Sequence, residues 1–313
     1  MFLPAIFWSC SKDDDKKEPK PTDWVSPDFA SVSLSTQSPF SGHLIVAPAE
    51  GDGSIYYGNY NAAGNLSAIH ALYTISKGTI AQSYTPVRLP AGTYTLVYWG
   101  VPVNTSADSA YSLVAINDPA YRIGTDMKDM SYRLRPYSAP DTTYYPVYDY
   151  VFSVEPIKVG TEKMSTVLTR VTSGIRVTLR DKDGGALNPI IAGARIQIGS
   201  IANSLNYYTA EPSDFTKTIS FPLDKSTDGT QMSANSTVML FPSAVNPELT
   251  ILLTLTNGKV KVYRQPLGNT LSAGTRLTLT ASIGEIFIEE TTANGFEVTN
   301  WKEESENINI PNI

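Results

Sequence analysis

A single cysteine, Cys10, stands in a chain of 313 residues, so no intramolecular disulfide can form. Secreted eukaryotic chains of this size usually carry several bridges. Two settings remain: an intracellular protein, or one exported by a bacterium and stable without bridges. Charge is scarce as well. Asp, Glu, Lys and Arg make up 17% of the residues, below the usual quarter or so. Solvent-facing surfaces must then be built from Ser, Thr, Asn and the Tyr hydroxyl, which suits broad β-surfaces better than charged helices. The net charge is −6 with no basic stripe, which argues against nucleic acid as a partner. No apolar run reaches the roughly 18 residues of a membrane-spanning helix. The two histidines, His43 and His70, have no spaced His or Cys partner, so no metal site is read. No Gly-x-Ser-x-Gly elbow, P-loop or Gly-x-Gly-x-x-Gly occurs. Asp181-Lys182-Asp183-Gly184 begins like a calcium loop, but residue 192 is Ala where a bidentate Glu belongs, and a hairpin turn is expected there instead. No catalytic residue and no cofactor is predicted, and the chain is read as a non-enzyme.

The pattern that is present is turn plus strand. Leu89 to Trp99 reads Leu-Pro-Ala-Gly-Thr-Tyr-Thr-Leu-Val-Tyr-Trp. Leu-Pro-Ala-Gly is turn chemistry, and the run after it alternates, with Tyr94, Leu96 and Tyr98 on one face and Thr95, Val97 and Trp99 on the other. The same pattern returns at Leu271 to Ile283, where Leu277, Leu279, Ala281 and Ile283 form an inward set. Ser41 to Val46 is likewise echoed by Ser173 to Thr178. Two echoes in the same order point to two related β-domains.

Turn signals elsewhere arrive about every 8–15 residues, with no long amphipathic helix, as in antiparallel sandwiches. The division expected is 1–22 as signal and tether, 23–160 and 161–284 as two tandem β-sandwiches, and 285–313 as a tail. Trp24 to Thr36 reads as a first strand and Gly51-Asp52-Gly53 as a tight hairpin. Ala68 to Ser76 is helix or strand, and Ser109 to Ile116 is strand or short helix. Tyr121 to Tyr148 is too rich in Pro and turn residues to be a central element. Gly160, at the end of the Tyr150 to Val159 strand, is placed at the domain boundary.

Met1 to Ser9 is apolar and ends in a small residue before Cys10, and a charged run, Ser11 to Glu18, follows. This resembles a bacterial lipoprotein signal, with Cys10 as the acylated first residue of the mature chain. The acidic stretch after it is similar to the surface-export signal of Bacteroidetes lipoproteins. Acyl chains on Cys10 would insert into the outer membrane, leaving Lys12 to Thr22 as an extended tether. The apolar run is short and no Lys or Arg precedes it, which points to a start codon upstream.

Together with this start, the Ala-Gly-Thr-Tyr turn-strand ending in Tyr-Trp-Gly, the Pro-Asp-x-x-Tyr stretch at Pro140 to Tyr144, and Val167-Leu168-Thr169-Arg170-Val171-Thr172-Ser173-Gly174-Ile175-Arg176-Val177 resemble the fimbrillin-like proteins of Bacteroidales. The resemblance implies an all-β fold of two transthyretin-like Greek-key sandwiches. It also implies a cell-surface protein whose partners are other fimbrial subunits, joined by β-strand augmentation. Polymerising members lose a first strand by cleavage after Arg. Here no Lys or Arg occurs from Pro21 to Ser76, which favours an anchor or accessory subunit that keeps its first strand and its lipid. The tail supplies a candidate partner strand, with Phe296, Val298, Trp301, Ile308 and Ile310 as its apolar positions. A second reading is a surface glycan-binding lipoprotein using Tyr56, Tyr57, Tyr60, Tyr144, Tyr145 and Tyr148 as stacking platforms. Asp108-Ser109-Ala110 and Asp141-Thr142-Thr143 are similar to the Bacteroidetes O-glycosylation pattern.

Overall fold

The computed structural model describes residues 24–35, 38–103, 113–137, 142–234, 236–283, 293–296 and 302–310. Among the described residues the regular structure is strand throughout, apart from a single 3-10 turn at Met127–Asp129. The fold is all-β, and Ala71–Ser76 resolves as a strand.

Two large sheets carry the molecule. The first has seven strands in the order Phe29–Leu34, Met164–Arg170, Val151–Val159, Gly92–Pro102, Gly42–Glu50, Ala71–Ser76, Thr79–Thr85. Pro27 breaks the predicted first strand in two: Trp24–Val25 pairs with Leu89–Pro90, and Phe29–Leu34 joins the seven-stranded sheet. The Gly51-Asp52-Gly53 turn forms as expected, with the Gly53 amide donating to the Glu50 carbonyl at 3.0 Å.

The second sheet has eleven strands. Its main path runs Val260–Pro266, Glu248–Leu255, Ile191–Ile201, Lys217–Lys225, Gln231–Ser233, Ser173–Asp181, Thr275–Ile283, Lys302–Ile310, Ala293–Phe296. The predicted inward set on Thr275–Ile283 is buried as a block, with Leu277, Leu279, Ala281 and Ile283 all at 5% exposure or less.

Neither sheet is purely antiparallel. Phe29–Leu34 runs parallel to Met164–Arg170, and Thr275–Ile283 runs parallel to both of its neighbours, Ser173–Asp181 and Lys302–Ile310. Parallel neighbours need long crossovers, and alternation reads the same in either direction, so the orientation is invisible in the sequence. The echoed segments are direct neighbours in both halves. Gly42–Glu50 pairs with Gly92–Pro102 antiparallel, whereas Ser173–Asp181 pairs with Thr275–Ile283 parallel. They are similar strands used in different topologies.

The chain changes sheets after Arg170, one strand beyond Gly160. Gly160, at φ +99°, sits in the turn joining Val151–Val159 to Met164–Arg170 within one sheet. At the changeover Arg170 forks onto Asp149 through Nε (2.7 Å) and Nη2 (2.8 Å), and the Thr172 hydroxyl receives the Tyr150 amide at 3.2 Å. Asp181 also starts a turn, its carbonyl accepting from the Gly184 amide at 3.1 Å. That turn is not a hairpin, because the flanking strands Ser173–Asp181 and Ile191–Ile201 are not neighbours.

Gly92–Pro102 is the pivot of the packing. Tyr94, Leu96 and Tyr98 enter a core that lies wholly within the first sheet and its loops. Val97 and Trp99, on the opposite face, enter a larger core built mainly from the second sheet. The predicted face assignment therefore holds, and both faces are buried: Leu96, Val97, Tyr98 and Trp99 are each at 1% exposure or less. The larger core draws on both halves of the chain, from Ala47 to Ile308. The stretch expected to stay peripheral contributes Met127, Met130, Tyr132, Leu134 and Val147 to that core. Strands of two to four residues show no periodicity, so their burial is set by tertiary contact alone.

Candidate functional site

The sequence offered three candidate surfaces: the N-terminal cysteine, two tyrosine groups and the tail strand. Cys10 lies outside the described residues, as do Val298, Trp301, Asp108 and Asp141.

The tyrosines do not form a platform. Tyr56 (0% exposed) and Tyr60 (6%) are core residues. Tyr57 is half-buried and meets Tyr94 edge-on at 5.3 Å. Tyr145 has its ring face covered by Tyr137, with centroids 3.9 Å apart. Tyr144 is half-buried with Lys217 Nζ 5.9 Å from its ring centre, and Tyr148 alone of the six is exposed, at 41%. Sequence clustering carried no information about which ring faces were already taken.

What the sequence did not reveal is an aromatic junction where the first sheet meets the second half. Trp99 packs on Tyr132 at 4.8 Å, Phe152 at 4.9 Å, Tyr150 at 5.7 Å and Tyr207 at 5.8 Å. Its Nε1 donates to the Tyr207 carbonyl at 2.9 Å. Tyr121 continues the cluster, meeting Tyr207 at 5.4 Å, Tyr56 at 5.6 Å and His70 at 4.8 Å. Burial pushes the Tyr121 phenol up to about 12 and holds Tyr132 and Tyr207 well above their ordinary value. Burial also lowers His70. These groups stay neutral at physiological pH, and the cluster is packing rather than acid-base machinery. His43 is exposed on its strand, its Nδ1 3.3 Å from the Thr74 hydroxyl. Among the described residues no group of three or more His, Cys, Asp or Glu is placed to hold a metal ion.

The tail strand is the most informative surface. Lys302–Ile310 lies parallel on Thr275–Ile283 over nine register pairs, from Thr275 opposite Lys302 to Ile283 opposite Ile310. Phe296 ends the short Ala293–Phe296 strand on its outer side, opposite Glu304. Ile308 enters the larger core at 1% exposure. The tail is thus docked on its own chain. One residue works against that docking. Glu306 is buried at 7% exposure. Its Oε1 accepts from the Gly268 amide at 3.4 Å, and its Oε2 has no hydrogen-bond partner. Burial raises its pKa, with the Gly268 amide and the Asn269 side chain pulling the other way. The docked strand therefore prefers the protonated acid. Docking is strongest below the ordinary carboxyl range and weakens as pH rises through the raised value. Glu306→Gln should remove this dependence and protect the amides of 302–310 more strongly at neutral pH. Hydrogen exchange at pH 5 and pH 8, corrected for intrinsic rates, checks it; equal pH dependence in both proteins would refute it.

Two further strands end the sheets. Thr79–Thr85 closes the first, with Ile80 (40%) and Tyr84 (54%) exposed, and Val260–Pro266 closes the second, with Val260 (51%) and Val262 (41%) exposed. Terminal strands of this kind present unpaired main-chain groups. No helix among the described residues is long and apolar enough to cross a membrane.

No curated protein matches the chain. Among solved structures, it is similar to the fimbrial anchor protein Mfa2 from Porphyromonas gingivalis, at 16% identity and TM-score 0.44 over 77% of this chain and 82% of that one. It is also similar to a candidate cell adhesion protein from Bacteroides uniformis, at 17% identity and TM-score 0.44 over 84% and 94%. A candidate adhesin from Bacteroides ovatus aligns at 11% identity and TM-score 0.45 over 84% and 88%. The sequence pattern of the Mfa2 family, described as fimbrillin-A associated anchor proteins Mfa1 and Mfa2, matches residues 52–307. That span includes the central strand, the aromatic junction and most of the tail strand, and the chain belongs to this family of fimbrillin-A associated anchor proteins.

Proposed function

We propose that this chain is a cell-surface fimbrial anchor or accessory subunit, tethered to the bacterial outer membrane through acyl chains on Cys10 and joined to other fimbrial subunits by strand augmentation. In this reading the two expected halves, 23–160 and 161–284, are tandem transthyretin-like sandwiches, with the strand Met164–Arg170 added to the sheet of the first. The segment Phe296 to Ile313 is the exchangeable strand, with Phe296, Val298, Trp301, Ile308 and Ile310 as its apolar contacts. The observation that carries it, beyond family membership, is the tail strand itself. Lys302–Ile310 is added to a sheet as one further strand in a nine-pair register, with Glu306 and Ile308 buried on either side of exposed Asn307, and a partner's strand would need the same kind of pairing. Its buried Glu306 makes the self-docked state improvable by a strand with an apolar residue at that position. The absence of Lys and Arg from Pro21 to Ser76 fits a subunit that keeps its first strand.

Two experiments test the two halves of this reading. Cys10→Ala should move the protein out of the outer-membrane fraction; unchanged sedimentation with the membrane would exclude the lipid anchor. Thr280 and Asn307 are register partners, so Thr280→Cys with Asn307→Cys can lock the tail in place. The oxidised protein should fail to co-purify with fibre subunits, and reduction should restore capture. Equal capture in both states would end the strand-exchange reading.

A further inference from the structure

Beside the aromatic junction, the surface holds a cavity of about 330 Å³. Its wall carries Asp118, Arg122, Asp129 and Arg133, together with Asn117 and Ser131. Two acidic and two basic residues thus line one space, yet among the described residues none of the four forms an ion pair. Arg133 Nε donates to Ser131 Oγ at 3.0 Å, and Asn117 Nδ2 donates to the Leu134 carbonyl at 3.1 Å. The Asn117 amide oxygen is left to accept.

The wall is held from behind. Asp118 and Arg122 flank Tyr121, whose ring is fixed in the junction. Asp129 follows Met127 (0% exposed) in a turn capped by Asp126, whose carboxylate accepts from the Lys128 amide at 2.9 Å. Ser131 and Arg133 alternate on their strand with Tyr132 and Leu134, both 2% exposed. Buried anchors thus sit between the polar residues on every segment, so the charges are displayed on rigid backbone, and a ligand would not have to order it.

The charge pattern narrows the ligand. Two guanidiniums repel a bare metal ion, and two carboxylates repel a simple multivalent anion. A guanidinium pair suits a carboxylate, which it meets through paired hydrogen bonds. The two Asp carboxylates and the Asn117 oxygen suit hydroxyl donors. The volume lies at the lower end of the range for small-molecule sites. We propose that this cavity binds a sugar ring bearing a carboxylate, as the acidic residue of a glycan. The site is independent of strand exchange and does not use the six tyrosines considered above.

The test is calorimetric titration of the full chain with D-glucuronate, D-glucose and L-glutamate. Glucuronate should bind, and glucose, which lacks the carboxylate, should bind about tenfold more weakly or not at all. Arg122→Gln with Arg133→Gln should cost about tenfold or more in glucuronate affinity. Both side chains are exposed, so the melting temperature should not move. Equal binding of glucose and glucuronate, an undiminished affinity in the double variant, or tighter binding of glutamate would each overturn the acidic-sugar assignment. Capture of fibre subunits should be unaffected by the double variant, which separates this proposal from the fimbrial one.

Discussion

Trp99→Ala lowers the unfolding free energy by about 3–5 kcal/mol, the range for emptying a large aromatic site in a packed core. Trp99 is 1% exposed and touches four other aromatic rings. Its removal leaves a void between rings held by two different sheets, so collapse from one side cannot fill it. It also strands the Tyr207 carbonyl, which accepts the indole N–H at 2.9 Å. Losing a buried partner costs about 1–3 kcal/mol by itself. Trp99→Phe should therefore fall between wild type and alanine, keeping much of the ring packing and losing the hydrogen bond. Urea denaturation monitored by far-ultraviolet circular dichroism checks the order. A loss under about 1 kcal/mol for Trp99→Ala would mean the junction is not a core, against the general cost of such truncations.

Gly42→Ala is the second large effect, of about 3 kcal/mol, at the upper end for overpacking. A Cβ at Gly42 would lie 2.3 Å from the Val101 carbonyl oxygen, 2.8 Å from Phe40 Cζ and 2.9 Å from Pro102 Cα. Two of these are backbone atoms of the facing strand, and neither can turn aside. Gly100 lies under the same Phe40 ring, and its Cβ would meet Val151 Cγ2 at 2.8 Å and Phe40 Cζ at 3.0 Å. There the two nearest obstacles are side chains, with the His43 carbonyl oxygen farther off at 3.4 Å. A smaller residue at position 40 should therefore rescue Gly100→Ala in part and leave Gly42→Ala unrescued. Thermal melts of Phe40→Leu alone and combined with each glycine variant separate the two cases. Equal rescue of both would show that the carbonyl contact is not what excludes a side chain at Gly42.

Both positions show how far the sequence could be read. Alternation on Leu89 to Trp99 named the right faces, because a strand's side-chain period of two survives in any environment. It did not show that each face meets a different core, since burial on both sides needs partners from distant segments. Leu277, Leu279, Ala281 and Ile283 were legible for the same reason. Tyr121 to Tyr148 was not: turn residues dominate it locally, while Tyr132 and Met130 are held in the core by the second half. Gly160 marks a real turn, but a turn within one sheet and a change of sheet use the same residues. The family was legible because the short motifs that carry the resemblance lie along the span that matches it, residues 52–307. The four-residue charge constellation around the cavity was not, because Asp118, Arg122, Asp129 and Arg133 are spread over a loop, a short turn and a strand with no shared spacing.

The double burial of Gly92–Pro102 bears on how the protein is made. A polypeptide that emerges from the ribosome or a secretion channel N-terminus first completes its seven-stranded sheet at Arg170. At that moment the face bearing Ala47, Val97 and Trp99 lacks most of its cover, since Tyr207 and most of the larger core arrive later. The half-made chain would carry a sticky aromatic surface until the remaining strands arrive. It would depend on a holdase, or on rapid delivery of the remaining strands, to fold unaggregated.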